Sequence, residues 1–445
     1  MWHQIKFYVQ RARELSGKGH LGLAVRARLR SWRTTPQFNA QQIAERVYKE
    51  YSATLPDGFA DRKITLRLSV PPLPVRPAFI FSEHVMDEKG NMTDTVLATC
   101  NGGFAISHDL GETWKVVLVK GHANHLFINI KAIGSSEFLV QLVPSENRAS
   151  KILPLDLLVV DIHGKVLAKH PAHSHRWHGC RSVDLAGGAI MFAEYLSNNP
   201  VDGKRPVDCR VWRSHDRGRT WHTVFGQSGE EIRHFHFLQQ RLGHPKEWWL
   251  TSGDLPRECH VWVSKDDGDN WNDISVTRHD RIEVDGQFYA RDLYRMTDLF
   301  WMDDEVIWGT DDYMGISTPP GARVFRGEIR RKLKPELVGI GKWHIRSIVD
   351  IGDYLLFFSQ RANIPGASPE ERKPGVYLMA KNGQPDAHGL VHLFNLDSYP
   401  SRDRPGFTFS KASRAAAHGT FFTHRSSEDV FPAGHKILEW NVGLE

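Results

Sequence analysis

The stretch "SHDRGRTW", Ser214 to Trp221, decides how this chain folds, because it recurs. "SHDLGETW" stands at Ser107 to Trp114 and "SKDDGDNW" at Ser264 to Trp271, so the shared frame is Ser, any, Asp, any, Gly, any, Thr or Asn, Trp. Each fixed position has a mechanical use. The Asp carboxylate accepts hydrogen bonds from turn amides, the Gly supplies the positive φ of a tight hairpin, and the Trp buries a large apolar surface between neighbouring layers. A frame built this way is a hairpin device before it is a site.

Around these frames, from about Lys63 onward, short alternating strands are separated by turn residues, the habit of all-β repeats. The second and third frames lie 50 residues apart and the first and second 107, near twice that. One unit without the frame is therefore due between them, and "LLVVDIHGKVLAKH", Leu157 to His170, supplies strand, turn and strand without the Trp. Units of about 50 residues with several strands each have the dimension of propeller blades. First strands align as "RPAFIF" at Arg76, "NHLFINI" at Asn124, "RSVDLAG" at Arg181, "RHFHFLQ" at Arg233, "RDLYRMT" at Arg291, "RSIVDIG" at Arg346 and "RAAAHGT" at Arg414. The expectation is an all-β, seven-bladed β-propeller, with six blades as the alternative. The seventh unit continues with "TFFTHR" and "HKILEWNV" and then lacks one outer strand, which "ITLRLSV", Ile64 to Val70, would supply from the other end, leaving fewer open edges.

Composition narrows the class. With 445 residues, 40% hydrophobic and 24% charged, the chain can bury a large core and is not disordered. Cys100, Cys180, Cys209 and Cys259 show no CxxC spacing, so neither a zinc ribbon nor a dense disulfide frame is indicated. Cys209 and Cys259, each five residues before a frame, read as small packing residues. The start has charges scattered through it and no apolar signal-peptide core, and no later run is long enough to span a membrane. A cytoplasmic protein is expected.

Charge is unevenly placed. Residues 1 to 33 hold eight Lys or Arg against one Glu, a balance of +7, while the whole chain sums to +5, which leaves −2 for the rest. Leu21, Val25 and Leu29 with Arg26, Arg28, Arg30 and Arg33 around them suit a basic amphipathic helix, either docked on its own domain or lying on an anionic membrane at the inner face. A second helix is expected from Ala40 to Tyr51, capped by Asn39. The expected division is a basic, partly helical extension over 1–62 and the propeller over 63–445.

The three frames resemble the Asp-box (BNR) repeat of sialidase-like β-propellers. That resemblance implies a propeller and, by extension, a glycosidase-type chemistry in which a tyrosine serves as nucleophile. "VRPAF", Val75 to Phe79, is similar to the Arg-Ile-Pro element in which sialidases place a substrate-carboxylate arginine, which points to Arg76. Sialidases have six blades where seven are counted here, and polysaccharide lyases acting on uronic acids are similar in blade number.

In a four-stranded antiparallel blade the start of the first strand shares one face with the second-to-third-strand loop, while the third-to-fourth-strand hairpin lies on the other. The frames occupy that hairpin, so function is expected at the opposite mouth. Six of the seven aligned openings are arginine: Arg76, Arg181, Arg233, Arg291, Arg346 and Arg414, and Arg361 lies in a loop of the same face. Guanidinium forks bind carboxylates in a bidentate way, and such a ring suits an acidic saccharide. The same loops carry Glu194 and Tyr195, Asp254, Asp311, Asp312 and Tyr313. For hydrolysis the reading takes Tyr313 as nucleophile, Glu194 as its activating base and Asp254 or Asp311 as acid. Histidines supply the competing reading. His175 and His178 precede Arg181, and His234 and His236 fall on one side of a strand, so a lyase would take a proton with His175, His234 or a tyrosine. No cofactor is expected; a divalent metal on His175, His178, His234 and His236 is the alternative. A non-catalytic glycan-binding or scaffold propeller in surface-polysaccharide assembly is the third reading. No nucleic-acid motif is present.

Overall fold

In the computed structural model, the first strand of five of the seven blades carries the same irregularity, one to three residues from its start. The pairing register shifts between His84 and Met86, Phe127 and Asn129, Phe235 and Phe237, Met296 and Asp298, and Ile345 and Ser347. A β-bulge at a fixed place bends each strand and re-aims the side chain it carries. The structure describes residues 49–56, 59, 63–69, 82–86, 92–109, 113–144, 155–174, 177, 181–195, 207–276, 282–284, 287–289, 291–311, 322–341, 345–359, 373–381, 389–396, 407–409, 418–423 and 437–444, all within one compact unit, Arg46–Glu445.

Seven antiparallel sheets follow one another along the chain. The first strands of blades one to seven are Ser82–Met86, His125–Ala132, Val183–Ala186, Phe235–Gln240, Met296–Met302, Ile345–Asp350 and Phe407–Phe409. Each blade has four strands in chain order except the last. There, Phe407–Phe409, His418–Thr423 and Ile437–Leu444 are joined by Lys63–Ser69, which pairs with Ile437–Leu444, and then by Lys49–Thr54. The ring is a seven-bladed β-propeller, not a six-bladed one, and both ends of the chain close it. A two-stranded ribbon, Ile282–Val284 with Gln287–Tyr289, stands apart. Among the described residues no helix is long and apolar enough to cross a membrane.

Two local readings change. Lys49–Tyr51, read as the end of a helix, is strand: Tyr51 and Ala53 alternate with exposed Ser52 and Thr54, a period of two. Tyr51 stacks on Phe394 of blade six at 5.4 Å, and burial pushes its phenol up to about 12. The seventh blade begins at Phe407, not at Arg414, which falls between its first two strands and outside the described residues. The basic segment over residues 1–33 also lies outside them.

Apolar clusters lie within and between the blades. Trp177, Trp248, Trp249 and Trp308 are fully buried among them. The hub strands are also tied by polar bonds. Asp184 of blade three accepts from the Gln240 amide of blade four (3.0 Å), and Asp298 of blade five from the Ile348 amide of blade six (2.8 Å).

The three frames sit in the third-to-fourth-strand hairpins of blades one, three and four. In blade three Ser214 Oγ donates to Asp216 Oδ1 (2.8 Å), and the Thr220 amide and hydroxyl donate to its two oxygens (2.8 and 2.6 Å). Blade four repeats this with Ser264, Asp266 and Asn270, and blade one with Ser107, Asp109 and Thr113. Gly218 has φ +77°, and a Cβ there would stand 3.1 Å from Val159 of blade two. Trp221 meets Phe192 edge-on at 5.0 Å and donates from its indole to the Gly218 carbonyl (3.1 Å). The repeat is construction, as its chemistry indicated.

Candidate functional site

On the opposite mouth, blades three, four and five bring charged and aromatic side chains together. The inner strand of blade four is entered through Arg233 and His234 and bulges at His236. Alternate positions in an extended strand face one side. Accordingly the two imidazoles converge, His234 Nε2 and His236 Nε2 lying 3.1 Å apart. Both rings are buried, at 3% and 4% exposure.

Asp254, in the loop between the second and third strands of blade four, faces the pair. Its Oδ2 is 3.7 Å from His234 Nε2 and its Oδ1 3.6 Å from His236 Nε2. Arg233 NH1 donates to Oδ2 at 2.6 Å, and Arg295 NH2, from the entry to blade five, to Oδ1 at 3.2 Å. Asp254 has φ +138°, a region that costs a residue with a Cβ about 1–3 kcal/mol and recurs at functional sites. Gly253 permits the approach: a Cβ there would fall 2.9 Å from Arg295 Cγ and 3.1 Å from His236 Cε1. Burial by itself would raise the Asp254 carboxyl. The nearby His236 and the charges of His234, His236 and Arg295 outweigh it and hold the group far below the usual carboxylate range. Arg295 also stands 3.6 Å from Asp311 Oδ2 at the end of blade five's second strand. Tyr195 closes the cluster from blade three, its ring 4.1 Å from that of His234.

Two thiols brace this rim from behind. Cys209 Sγ donates to the Arg233 carbonyl (3.2 Å) and Cys259 Sγ to the Leu255 carbonyl (3.3 Å). Burial pushes the Cys259 thiol up to about 12, as suits a packing residue.

The structure thus brings together Arg233, His234, His236, Asp254 and Asp311 of the expected residues and separates others. Arg181, expected at the rim, is 2% exposed; it crosses the hub and donates to the Thr297 carbonyl of blade five and the Ser347 hydroxyl of blade six, both at 2.9 Å. It is a strut, because a guanidinium buried at the axis is satisfied by the strands it spans. Arg291 is not at the mouth either. It lies in a 3-10 turn ahead of blade five and donates to Ser275 Oγ (2.7 Å), beside His260 and Asp273 of blade four's outer strands. With the bulges superposed, Arg233 of blade four corresponds to Tyr294 and His234 to Arg295, so the arginine that reaches the mouth from blade five is Arg295. Glu194, expected as an activating base, is fully buried, and its two oxygens accept from the Arg210 amide and the Trp212 indole, each at 2.9 Å. Arg346 occupies blade six's bulge, the register position of His236 in blade four. Arg76, Arg361, Tyr313, His175 and His178 lie outside the described residues. The sequence reading missed Arg295 and Gly253. The signal for Arg295 was the dipeptide Arg295-Met296 opening the apolar run of the true first strand.

No protein-family model matches the chain, and no curated protein matches it. Among solved structures, YCF48 from Cyanidioschyzon merolae is similar over 84% of this chain and 98% of its own, at 10% identity and a TM-score of 0.46. The WD40 β-propeller domain of Doa1 covers 82% and 96%, at 9% identity and 0.42. A Trypanosoma rangeli sialidase in complex with sialic acid covers 81% of this chain and 58% of its own, at 9% identity and 0.37. At such scores and identities these likenesses say nothing about chemistry.

Proposed function

We propose that this propeller is a carbohydrate-active protein of the Asp-box type that takes a carboxylated saccharide at the mouth between blades three, four and five. Its reaction in this reading is elimination next to the carboxylate. The observation that carries this is the geometry of the rim: two imidazoles, a phenol and a reachable guanidinium surround a carboxylate that accepts from Arg233 and Arg295. Hydrolysis of a glycoside needs a carboxyl that still holds a proton near neutrality. Asp254 accepts from Arg233 and Arg295, Asp311 stands 3.6 Å from Arg295, and both Glu194 oxygens are occupied by donors, so each candidate carboxyl is held toward its ionised or engaged form.

Elimination has different needs. The carboxylate of a uronate docks on Arg233, whose side chain is 32% exposed, and this cation stabilises the charge that develops when the adjacent carbon loses its proton. Tyr195, half-buried against His234, takes that proton as its phenolate, having first lost its own proton to solvent. The released electron pair forms the carbon–carbon double bond, the bond to the leaving glycosidic oxygen breaks, and that oxygen takes up a proton from solvent.

The test is incubation of the full chain with sialylated, uronate and sulfated oligosaccharides. Elimination yields the ultraviolet absorbance of an unsaturated uronate, which Tyr195→Phe abolishes. Reducing ends without that absorbance would make the protein a hydrolase, and binding without any product would make it a glycan-binding propeller.

A further inference from the structure

Two ring nitrogens 3.1 Å apart in a buried site share either a proton, one Nε2–H donating to the other, or a metal ion. In an extended strand, alternate residues are separated by about 6.6 Å along the chain, so the bulge and the side chains together close that gap to a contact between the two Nε2 atoms. Among the described residues nothing behind the His236 ring aims it: its Nδ1 is buried without a hydrogen-bond partner there, and its Cε1–Nδ1 edge lies over Gly253. The ring is aimed by what its Nε2 faces, namely His234 and Asp254.

We propose that His234, His236 and Asp254 hold a divalent transition-metal ion whose open position faces the mouth and takes the carboxylate of an acidic ligand. One donor atom from each of the three lies within 4.8 Å of the others. An ion about 2.1 Å from each Nε2 subtends an angle of about 95° at the observed separation, between four- and six-coordinate geometries, and the Asp254 carboxylate, 3.6–3.7 Å from the two nitrogens, is the third donor. Two imidazoles and one carboxylate form an N/O set suited to zinc, manganese or iron, and three protein ligands leave a position for a ligand. Arg233 and Arg295 hydrogen-bond the Asp254 carboxylate from outside and fix its orientation, as outer partners of metal ligands do.

Charge then links the ion to its ligand. Arg233 and Arg295 balance Asp254 and Asp311, so a dication leaves the rim with two uncompensated positive charges. An anionic ligand supplies the compensation, and each tightens the binding of the other by the same factor. That second half rests on the acidic-saccharide reading; the ion itself does not.

The experiment uses the full, tag-free chain stripped with chelator and titrated calorimetrically with Zn²⁺, alone and with galacturonate present. The expected result is one Zn²⁺ per chain, at least about a hundredfold weaker binding in His236→Gln and in His234→Gln, no change in His215→Gln, and tighter Zn²⁺ binding with galacturonate. Melting curves of the variants establish that they fold, and the visible spectrum of the Co²⁺-loaded chain reports nitrogen and oxygen coordination directly. Absence of stoichiometric Zn²⁺, or unchanged affinity in both histidine variants, overturns the metal site. Elimination activity that persists in chelator without Zn²⁺ binding would remove the ion and keep the lyase; Zn²⁺ bound with no uronate turned over and no effect of galacturonate would do the reverse.

Discussion

Asp216 and Asp254 are both aspartates whose carboxyls lie below their ordinary range, and they get there by opposite routes. At Asp216 the slight burial that would raise it is outweighed by donors from within six residues: Thr220, Ser214 and the Arg219 amide. Asp266 repeats the case, its largest influence being the Asn270 side chain. At Asp254 the opposing groups arrive from two blades, through His234, His236, Arg233 and Arg295. The first kind of carboxylate comes with its hairpin and recurs wherever the hairpin does. The second exists only once the ring is closed, and it occurs at one rim among the described residues. Repetition therefore marks what holds the propeller, and its breakdown marks where chemistry is concentrated.

The largest expected effect tests whether arginines of the same sequence rank are equivalent. Arg181→Ala removes a buried fork from the axis and leaves the Thr297 carbonyl and Ser347 hydroxyl without their donor, so unfolding in denaturant should show a loss of about 2–4 kcal/mol. Arg233→Ala, at the half-buried end of the cluster, leaves Asp254 still paired with Arg295 and should cost less, about 1–2 kcal/mol, while abolishing capture of uronate oligosaccharides. Equal stability losses would erase the distinction between strut and rim.

Gly253→Ala sharpens the comparison from the other side. Its Cβ has no room between Arg295 and His236, and relief requires both to move; a loss of about 1–3 kcal/mol in stability is expected together with loss of Zn²⁺ binding in the same calorimetric assay. Retained Zn²⁺ affinity would mean that the ring and the guanidinium shift without consequence.

The hairpin carboxylates predict an acid response. Their folded pKa values are depressed, so the stability they contribute is complete above the ordinary carboxylate range near about 3.9 and is lost as pH falls below it toward the depressed values. Melting temperature measured from pH 6 downward should fall more steeply in the parent chain than in Asp216→Asn. An unchanged slope would assign the acid response to other carboxylates. The smallest effect is that of Asp266→Ala at neutral pH, about 1 kcal/mol from one hairpin cap, with ligand binding untouched.

Much of the frame was legible. The spacing of three hairpins predicted the blade size, and the alternation in "ITLRLSV" predicted the strand that pairs with Ile437–Leu444. Local pattern misled at two places where it was ambiguous. Tyr51 continues the helical spacing of Ile43 and Val47, and only the neighbouring strand and Phe394 select the extended form. "RDLYRMT" offers two arginines, and the turn Arg291–Tyr294 that precedes the strand decides that Arg295 stands at the entry.

By itself the sequence determined the unit: a hairpin in which Ser, Asp, Gly and Trp satisfy one another within eight residues, repeated at a spacing that only a ring of sheets accommodates. The tertiary structure alone decided which polar groups are structural and which converge on a site. Arg181 and Arg233 open their strands with the same residue type, yet one is sealed at the axis and the other reaches the mouth. Local hydrogen bonds are encoded by neighbours in sequence, whereas the charge state of Asp254 and the convergence of its imidazoles depend on strand register and on a neighbouring blade. Those are properties of the closed ring, and no short stretch of chain contains them.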